Sequence, residues 1–457
     1  MSGMWALEIN GTKKSLGAWG VISGKLTLGS LINDQLVFTA RADLKIAFET
    51  PVVLWLDNQR RFSGVVTLAQ FAGSTRGDRR QFTVSGPWWY LENIIYQQPR
   101  WVLVDAFDPT KGYTTGSTSM LVLFQGDDGK SIYAGAQAKA AIDYAIAKGA
   151  PIARTTTFDL DAVVPWEKGF DLSCAEIIRH CARWTRDVVS WWDYSTAVPV
   201  LHIGRRANLI PVELDLNAGN TVVELTPQPR YDLQPRGVLI WFVKTEVDDA
   251  GRQWLNLLSQ GAGVVDGGVG VIVITFRLAG IGTSSEPIPE GLAQAFYNSV
   301  KDLQWQGSIV VNLVGVSGSM GPGNTIHLMN GDAEWSTMAA PVQSIEENLF
   351  TGETRINFGP PSHLSIQDFT QLIAVQRGLT STGGVRDSGS SRFDGTPDTP
   401  PNIPIIPKGP NGGPPPTPPG EGPSGAPKPG QSGIVMFYAC DDGEKRLVIA
   451  NGWVPEK

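Results

Sequence analysis

The chain has 457 residues, of which 42% are hydrophobic and only 18% charged, and it carries a formal net charge of −7. That length accommodates two or three domains of about 100–200 residues, and the charge content falls below the ~25% of an ordinary soluble domain. The acidic balance, with no basic block longer than Arg79-Arg80 or Arg205-Arg206, excludes a nucleic-acid-reading domain, which needs clustered cations to displace phosphate counterions.

Residues 5–97 read as β-structure almost throughout. Trp5, Leu7 and Ile9 recur at period two, as do Leu26 and Leu28, the mark of a half-buried strand. A further run covers 36–48. The apolar runs 52–56 and 62–66 flank Asp57-Asn58-Gln59, a hairpin signal. Another strand covers 81–84 and ends at Gly86-Pro87. The segment Trp88-Trp89-Tyr90-Leu91-Glu92 follows as a short cap, helical or extended. Short strands this closely spaced predict a small barrel or sandwich.

The character changes over 98–205. Residues 134–148 are rich in helix formers and stop before Gly149. A second helix starts at Ser173, an N-cap with Glu176 at capping-box spacing, and its apolar stripe runs through Cys174, Ile177, Ile178, Cys181 and Trp184. Strands at 188–192 and 200–203 follow. This predicts an inserted α+β module.

From 206 the β-patterning returns, with strands at 237–243, 269–276, 308–316, 325–329 and 354–358. A helix over 290–303 interrupts them, and a terminal helix covers 364–377. Between 380 and 432 lie fourteen of the 32 prolines, with almost nothing apolar. Such chain cannot bury enough surface to fold and favours extended polyproline II. At ~3.1 Å per residue it would make a tether of up to roughly 150 Å. The last 25 residues pattern as a hairpin, 434–438 and 447–449 around Asp441-Asp442-Gly443-Glu444. A lone hairpin is marginal in water, so it needs something to fold against.

Candidate chemistry is sparse. Cys174, Cys181 and Cys440 cannot close a disulfide framework, which points to a reducing compartment. Met1-Ser2-Gly3-Met4-Trp5 lacks the basic-then-apolar signal-peptide pattern, and no apolar run reaches the ~18 residues of a membrane span. The expectation is a soluble chain made in a cytoplasm, with no integral membrane segment. Cys174, His180 and Cys181 suggest a metal site. On one helix, however, the two thiols stand about 10 Å apart, and adjacent His180 and Cys181 point ~100° apart, so no tetrahedral site closes. Gly126-Asp127-Asp128-Gly129-Lys130-Ser131 resembles the end of a phosphate loop, but Phe124 stands where its first glycine belongs. There is no Gly-x-Ser-x-Gly elbow, and His180, His202, His327 and His363 sit in no triad context. No catalytic, cofactor-binding or metal residue is singled out. The fifteen tryptophans, with doublets Trp88-Trp89 and Trp191-Trp192, suit cores and subunit interfaces. The alternative is a glycan-binding β-module of a tail or surface protein.

Several motifs together resemble one family. Trp5-x-Leu7-x-Ile9-x-Gly11, Asp34-Gln35-Leu36-Val37-Phe38 and Val53-x-Trp55-x-Asp57 with Phe62-Ser63-Gly64-Val65 are similar to the opening of phage tail hub proteins. That group takes in baseplate hubs, siphophage tail-tip hubs and the related type VI secretion spike hubs. The helix from Ser173, leading to Trp192-Asp193-Tyr194 and Val200-Leu201-His202-Ile203, resembles the family's inserted module. Gly323-Asn324-Thr325-Ile326-His327-Leu328, Thr351-Gly352 and Gly359-Pro360-Pro361-Ser362-His363-Leu364 resemble the close of its second barrel.

The resemblance implies a mainly β chain with two tail-tube-like β-barrels. The first would be 1–97, open to strands from 206–245, and the second 206–378 with its terminal helix. The inserted module would be 98–205, the linker 379–432 and the terminal hairpin 433–457. It further implies a non-enzymatic homotrimer that adapts a six-fold tail tube to a three-fold spike or fibre. The implied partners are the tube or distal tail protein, the tape measure protein and the spike or fibre. DNA would pass only in transit, along a mildly acidic surface that does not hold it. The implied location is the virion tail tip, assembled in the host cytoplasm.

Overall fold

The computed structural model describes residues 4–74, 77–103, 112–126, 129–217, 222–247, 251–266, 268–281, 286–312 and 320–360, together with two strands at 434–439 and 445–450. The helix expected at 364–377, the Pro/Gly-rich segment 379–432, the turn at 441–444, residues 313–316 of the strand expected at 308–316, His363 and Cys440 lie outside the described residues. The fold is mainly β, as the patterning predicts.

In the first part, β1 (Trp5–Ile9), β2 (Thr12–Ser15), β3 (Val21–Gly29), β4 (Gln35–Arg41), β5 (Pro51–Leu56), β6 (Gln59–Ser74) and β7 (Gly77–Ser85) pair in the antiparallel order β3, β4, β7, β6, β5, β1, β2. Period two selects the inner face: Leu7, Leu36, Phe38, Val52, Leu54, Phe62 and Phe82 are fully buried, each stabilising the fold by roughly 1.5–3 kcal/mol. Asp57 and Asn58 both take positive φ, 47° and 65°, the type I′ turn whose twist suits a two-residue hairpin between β5 and β6. The cap after β7 is helical: α1 (Trp88–Asn93).

The next part contains β8 (Gln98–Leu103), β9 (Tyr113–Thr118), β10 (Met120–Leu123), α2 (Ala134–Ala147), β11 (Ala153–Arg154), β12 (Glu167–Phe170), α3 (Cys174–Ala182), β13 (Val188–Asp193) and β14 (Val200–Arg205). α2 ends where predicted, with Gly149 at φ 94° beyond its last turn. The small buried residues Ala134, Ala138, Ala141 and Ala145 let it pack close against α3.

The third part runs through β15 (Ile210–Asp215), β16 (Val222–Leu225), β17 (Gln228–Pro229), β18 (Gly237–Val247), β19 (Gln253–Gly263), β20 (Val271–Ile281), α4 (Leu292–Val300), β21 (Trp305–Asn312), β22 (Asn324–Met329), β23 (Ala340–Asn348) and β24 (Glu353–Phe358). α4 is shorter than the expected 290–303. Gly291 at φ 69° sets its start, and Asp302 lies beyond its end, paired with Arg206 at 2.7 Å. At the far end, β25 (Ile434–Ala439) and β26 (Lys445–Ala450) pair as the expected hairpin.

One sheet joins the first and third parts, because β23 pairs with β3 and carries β24, β21 and β16 beyond it. Among the described strands this path stays open, ending on β16 and β2. Two cores result. The larger spans the first strands, α2, α3, α4 and the inner face of β18 and β20. The smaller gathers Trp305, Ile309, Ile326, Val342, Ile345 and Ile356.

Candidate subunit interface

β18 reads Val238-Leu239-Ile240-Trp241-Phe242-Val243, apolar at every position, so both of its faces are apolar. The inner face is accounted for. Val238, Ile240 and Phe242 are fully buried, Phe242 stacks on Phe276 at 5.8 Å between ring centroids, and Trp184 meets Phe276 at 5.3 Å and Phe296 at 6.2 Å. The outer face carries Leu239, Trp241 and Val243. Register places Leu257 opposite Val243 and Leu255 opposite Thr245 on β19, with Val273 beside Leu239 on β20. These outer residues belong to neither core. Leu255 is 52% exposed and Leu257 62%. The outer side of the sheet thus carries half-buried and exposed apolar side chains that belong to neither core, interspersed with Ser259, Thr275 and Arg277.

A second constellation lies inside. Asp34 is buried in the β3–β4 turn and accepts Gly29 N–H at 2.8 Å on Oδ1 and the Tyr194 hydroxyl at 2.6 Å on Oδ2. Beside it Ser190 N–H donates to Ser30 Oγ at 3.0 Å and Leu31 N–H donates to Ser190 Oγ at 2.7 Å. Arg179 donates through Nε to the Leu31 carbonyl at 3.0 Å and pairs with Glu92 at 2.7 Å. Gly86 closes over this turn; a Cβ there would stand 2.9 Å from the Asp34 Cβ. Burial pushes the Asp34 carboxyl up to about 7, although the bonds from Tyr194 and Gly29 pull it down. Burial also raises the Tyr194 phenol, and the Asp34 charge adds to this. The cluster fastens the first β-part to α3 and β13.

The remaining candidates are absorbed by packing. Cys174 and Cys181 are buried free thiols; burial pushes Cys174 up to about 12 and Cys181 well above its ordinary value. His180 Nδ1 lies 2.9 Å from Glu167 Oε1. Burial presses the Glu167 carboxyl upward, but the bond and charge of His180, with Arg183, hold it below its ordinary value. Among the described residues no three His, Cys, Asp or Glu side chains are placed to hold a metal ion, and no helix is long and apolar enough to cross a membrane. A cleft of about 970 Å³ opens beside β21 and β24, lined by Gln306, Gln343, Asn357 and Arg230; Arg230 is engaged by Asp232 at 2.7 Å. Of the tryptophans with described burial, Trp254 alone is largely exposed.

The structure brings together motifs that lie far apart in sequence. Asp34 meets Tyr194, and Trp55 Nε1 donates to Glu8 at 3.0 Å. Asp57 accepts the Met4 N–H at 2.9 Å. Trp191 stacks on His202 and lies against Gly323. Sequence reading did not anticipate β19, and so it missed the exposed leucines.

No protein-family model and no curated protein matches this sequence. Among solved structures, a tail protein from Neisseria meningitidis MC58 is similar at a TM-score of 0.48 and 11% identity, covering 80% of this chain and 99% of that one. The fold is similar to those of phage tail proteins and type VI spike proteins. A 43 kDa tail protein of prophage MuSo2 from Shewanella oneidensis follows at 0.46 and 12%, covering 78% and 98%. An E. coli component of the type VI secretion system, described as similar in structure to the T4 tail proteins gp27 and gp5, gives 0.41 and 9%, covering 78% and 76%. At these values the likeness is one of chain trace and implies no shared activity.

Proposed function

We propose that the chain is the non-enzymatic structural hub of a phage or phage-like tail tip, in which three copies join a six-fold tail tube to a three-fold spike or fibre. The observation that carries this reading is the outer face of β18, β19 and β20. By strand geometry it measures roughly 35 Å by 14 Å, about 500 Å². A standard interface takes ~800 Å² from each partner, so this face supplies over half of one side. An apolar patch of a few hundred Å² on a protein surface is often functional, and a subunit contact is the use this reading gives it.

The arrangement of the β-parts is consistent with the same reading. On this reading the two β-parts joined by the β3–β23 ladder would serve as a pair of wall segments in each chain, and three chains would offer six. The tube or distal tail protein, the tape measure protein and the spike or fibre are the partners this reading assigns. Its net charge of −7 would let DNA pass without specific binding.

Sedimentation of the purified chain tests it. The expected mass is three times the 49.3 kDa protomer, and the double variant Leu255→Lys, Leu257→Lys is expected to sediment as a folded monomer. Wild-type protein at the protomer mass would overturn the hub reading. A variant that stays trimeric would overturn the placement of the interface on this face.

A further inference from the structure

β19 presents a free edge of an unusual kind. It is eleven residues long, Gln253–Gly263, and contains no charged side chain. Its pairing with β18 runs from Gly237↔Gly263 to Val247↔Gln253 without a register shift, and among the described strands nothing pairs on its other side. Natural edge strands are guarded by lysines, prolines, bulges or short length, because unpaired N–H and C=O rows recruit other strands. β19 has none of these guards. Its row of backbone donors and acceptors, flanked by Trp254, Leu255, Leu257 and Leu258, is built to accept a strand.

The same polypeptide carries a strand suited to donate. β25 reads Ile-Val-Met-Phe-Tyr-Ala with no charge and, among the described strands, pairs only with β26, whose first residues are Lys445 and Arg446. A two-stranded hairpin alone is marginal in water, so β25 gains most from a third strand on its uncharged edge. Six residues fit within the eleven of β19. The 73 residues between Pro360 and Ile434 allow a contour of up to roughly 250 Å, so distance does not forbid the encounter. Attachment to one chain also raises the effective concentration to the millimolar range. We propose that the terminal hairpin docks by strand addition, β25 pairing along the free edge of β19. This inference does not depend on the hub reading, since it concerns an edge and not the sheet face.

Backbone hydrogen exchange over 253–263 tests it, comparing the full chain, a chain ended at residue 432 and the full-length variant Met436→Pro. Proline removes an N–H and breaks the ladder of β25. The expected result is exchange at least tenfold faster in both altered chains, with the peptides of β4 and β7 unchanged as a control of folding. Equal exchange in all three would overturn the proposal: fast everywhere means a bare edge, and slow everywhere means another occupant such as a second copy. An effect of the deletion without an effect of the proline would overturn strand pairing as the mode of docking.

Discussion

Asp34 is a carboxylic acid with two donors and no compensating cation in its hydrogen-bond set. Burial wins over those donors and places its ionisation at about 7, against 3.8 for the free group. Between these values the folded chain holds a proton that the unfolded chain releases. The resulting stability is fully present below pH ~4, declines as pH rises through the window, and is gone above ~7. The difference corresponds at most to about 4 kcal/mol. Asp34→Asn keeps an oxygen for Gly29 N–H and an amide for the Tyr194 oxygen but cannot titrate. Wild-type protein should therefore lose stability relative to this variant between pH 5 and pH 8, read as the gap between their urea midpoints. A gap independent of pH would mean that Asp34 is ionised throughout.

The helix α3 shows what local chemistry can specify. Ser173 Oγ accepts Glu176 N–H at 3.2 Å, and Ser173 N–H donates back to Glu176 Oε2 at 2.7 Å, so two orphan donors of the first turn are satisfied by residues three apart. Ser173→Ala should cost about 1 kcal/mol, seen as a lower urea midpoint at unchanged slope; no change would show that the first-turn donors find water at no cost. Every signal for this helix lies within a dozen residues, and the sequence spells it out. β19 offers no such signal. In Trp254-Leu255-Asn256-Leu257-Leu258 neither face is chosen by burial, so no period of two marks it. The Asp34–Tyr194 contact spans 160 positions, and no local pattern announces it. The motifs around both residues resemble those of tail hubs, but a resemblance of motifs does not by itself bring Asp34 to Tyr194.

At the scale of the whole molecule, the ladder between β3 and β23 decides whether the β-parts act as one body. Ile345 pairs with Leu28; Ile345 is fully buried in the smaller core, and Leu28 belongs to the larger. The Lys25–Glu346 pair at 2.9 Å crosses the same seam, but both side chains are exposed, and such pairs contribute ~0–1 kcal/mol. Coupling must therefore rest on backbone pairing and apolar burial. Ile345→Ala removes buried methyl and methylene groups from the seam and should destabilise by about 2–5 kcal/mol, whereas Lys25→Ala should cost less than 1 kcal/mol. If the seam makes one cooperative unit, the isoleucine substitution speeds the slowest hydrogen exchange in β4, in the first part, as much as in β24. Acceleration confined to residues 305–358 would show two β-parts that open separately, and a hub built from them could not hold its wall segments at fixed spacing.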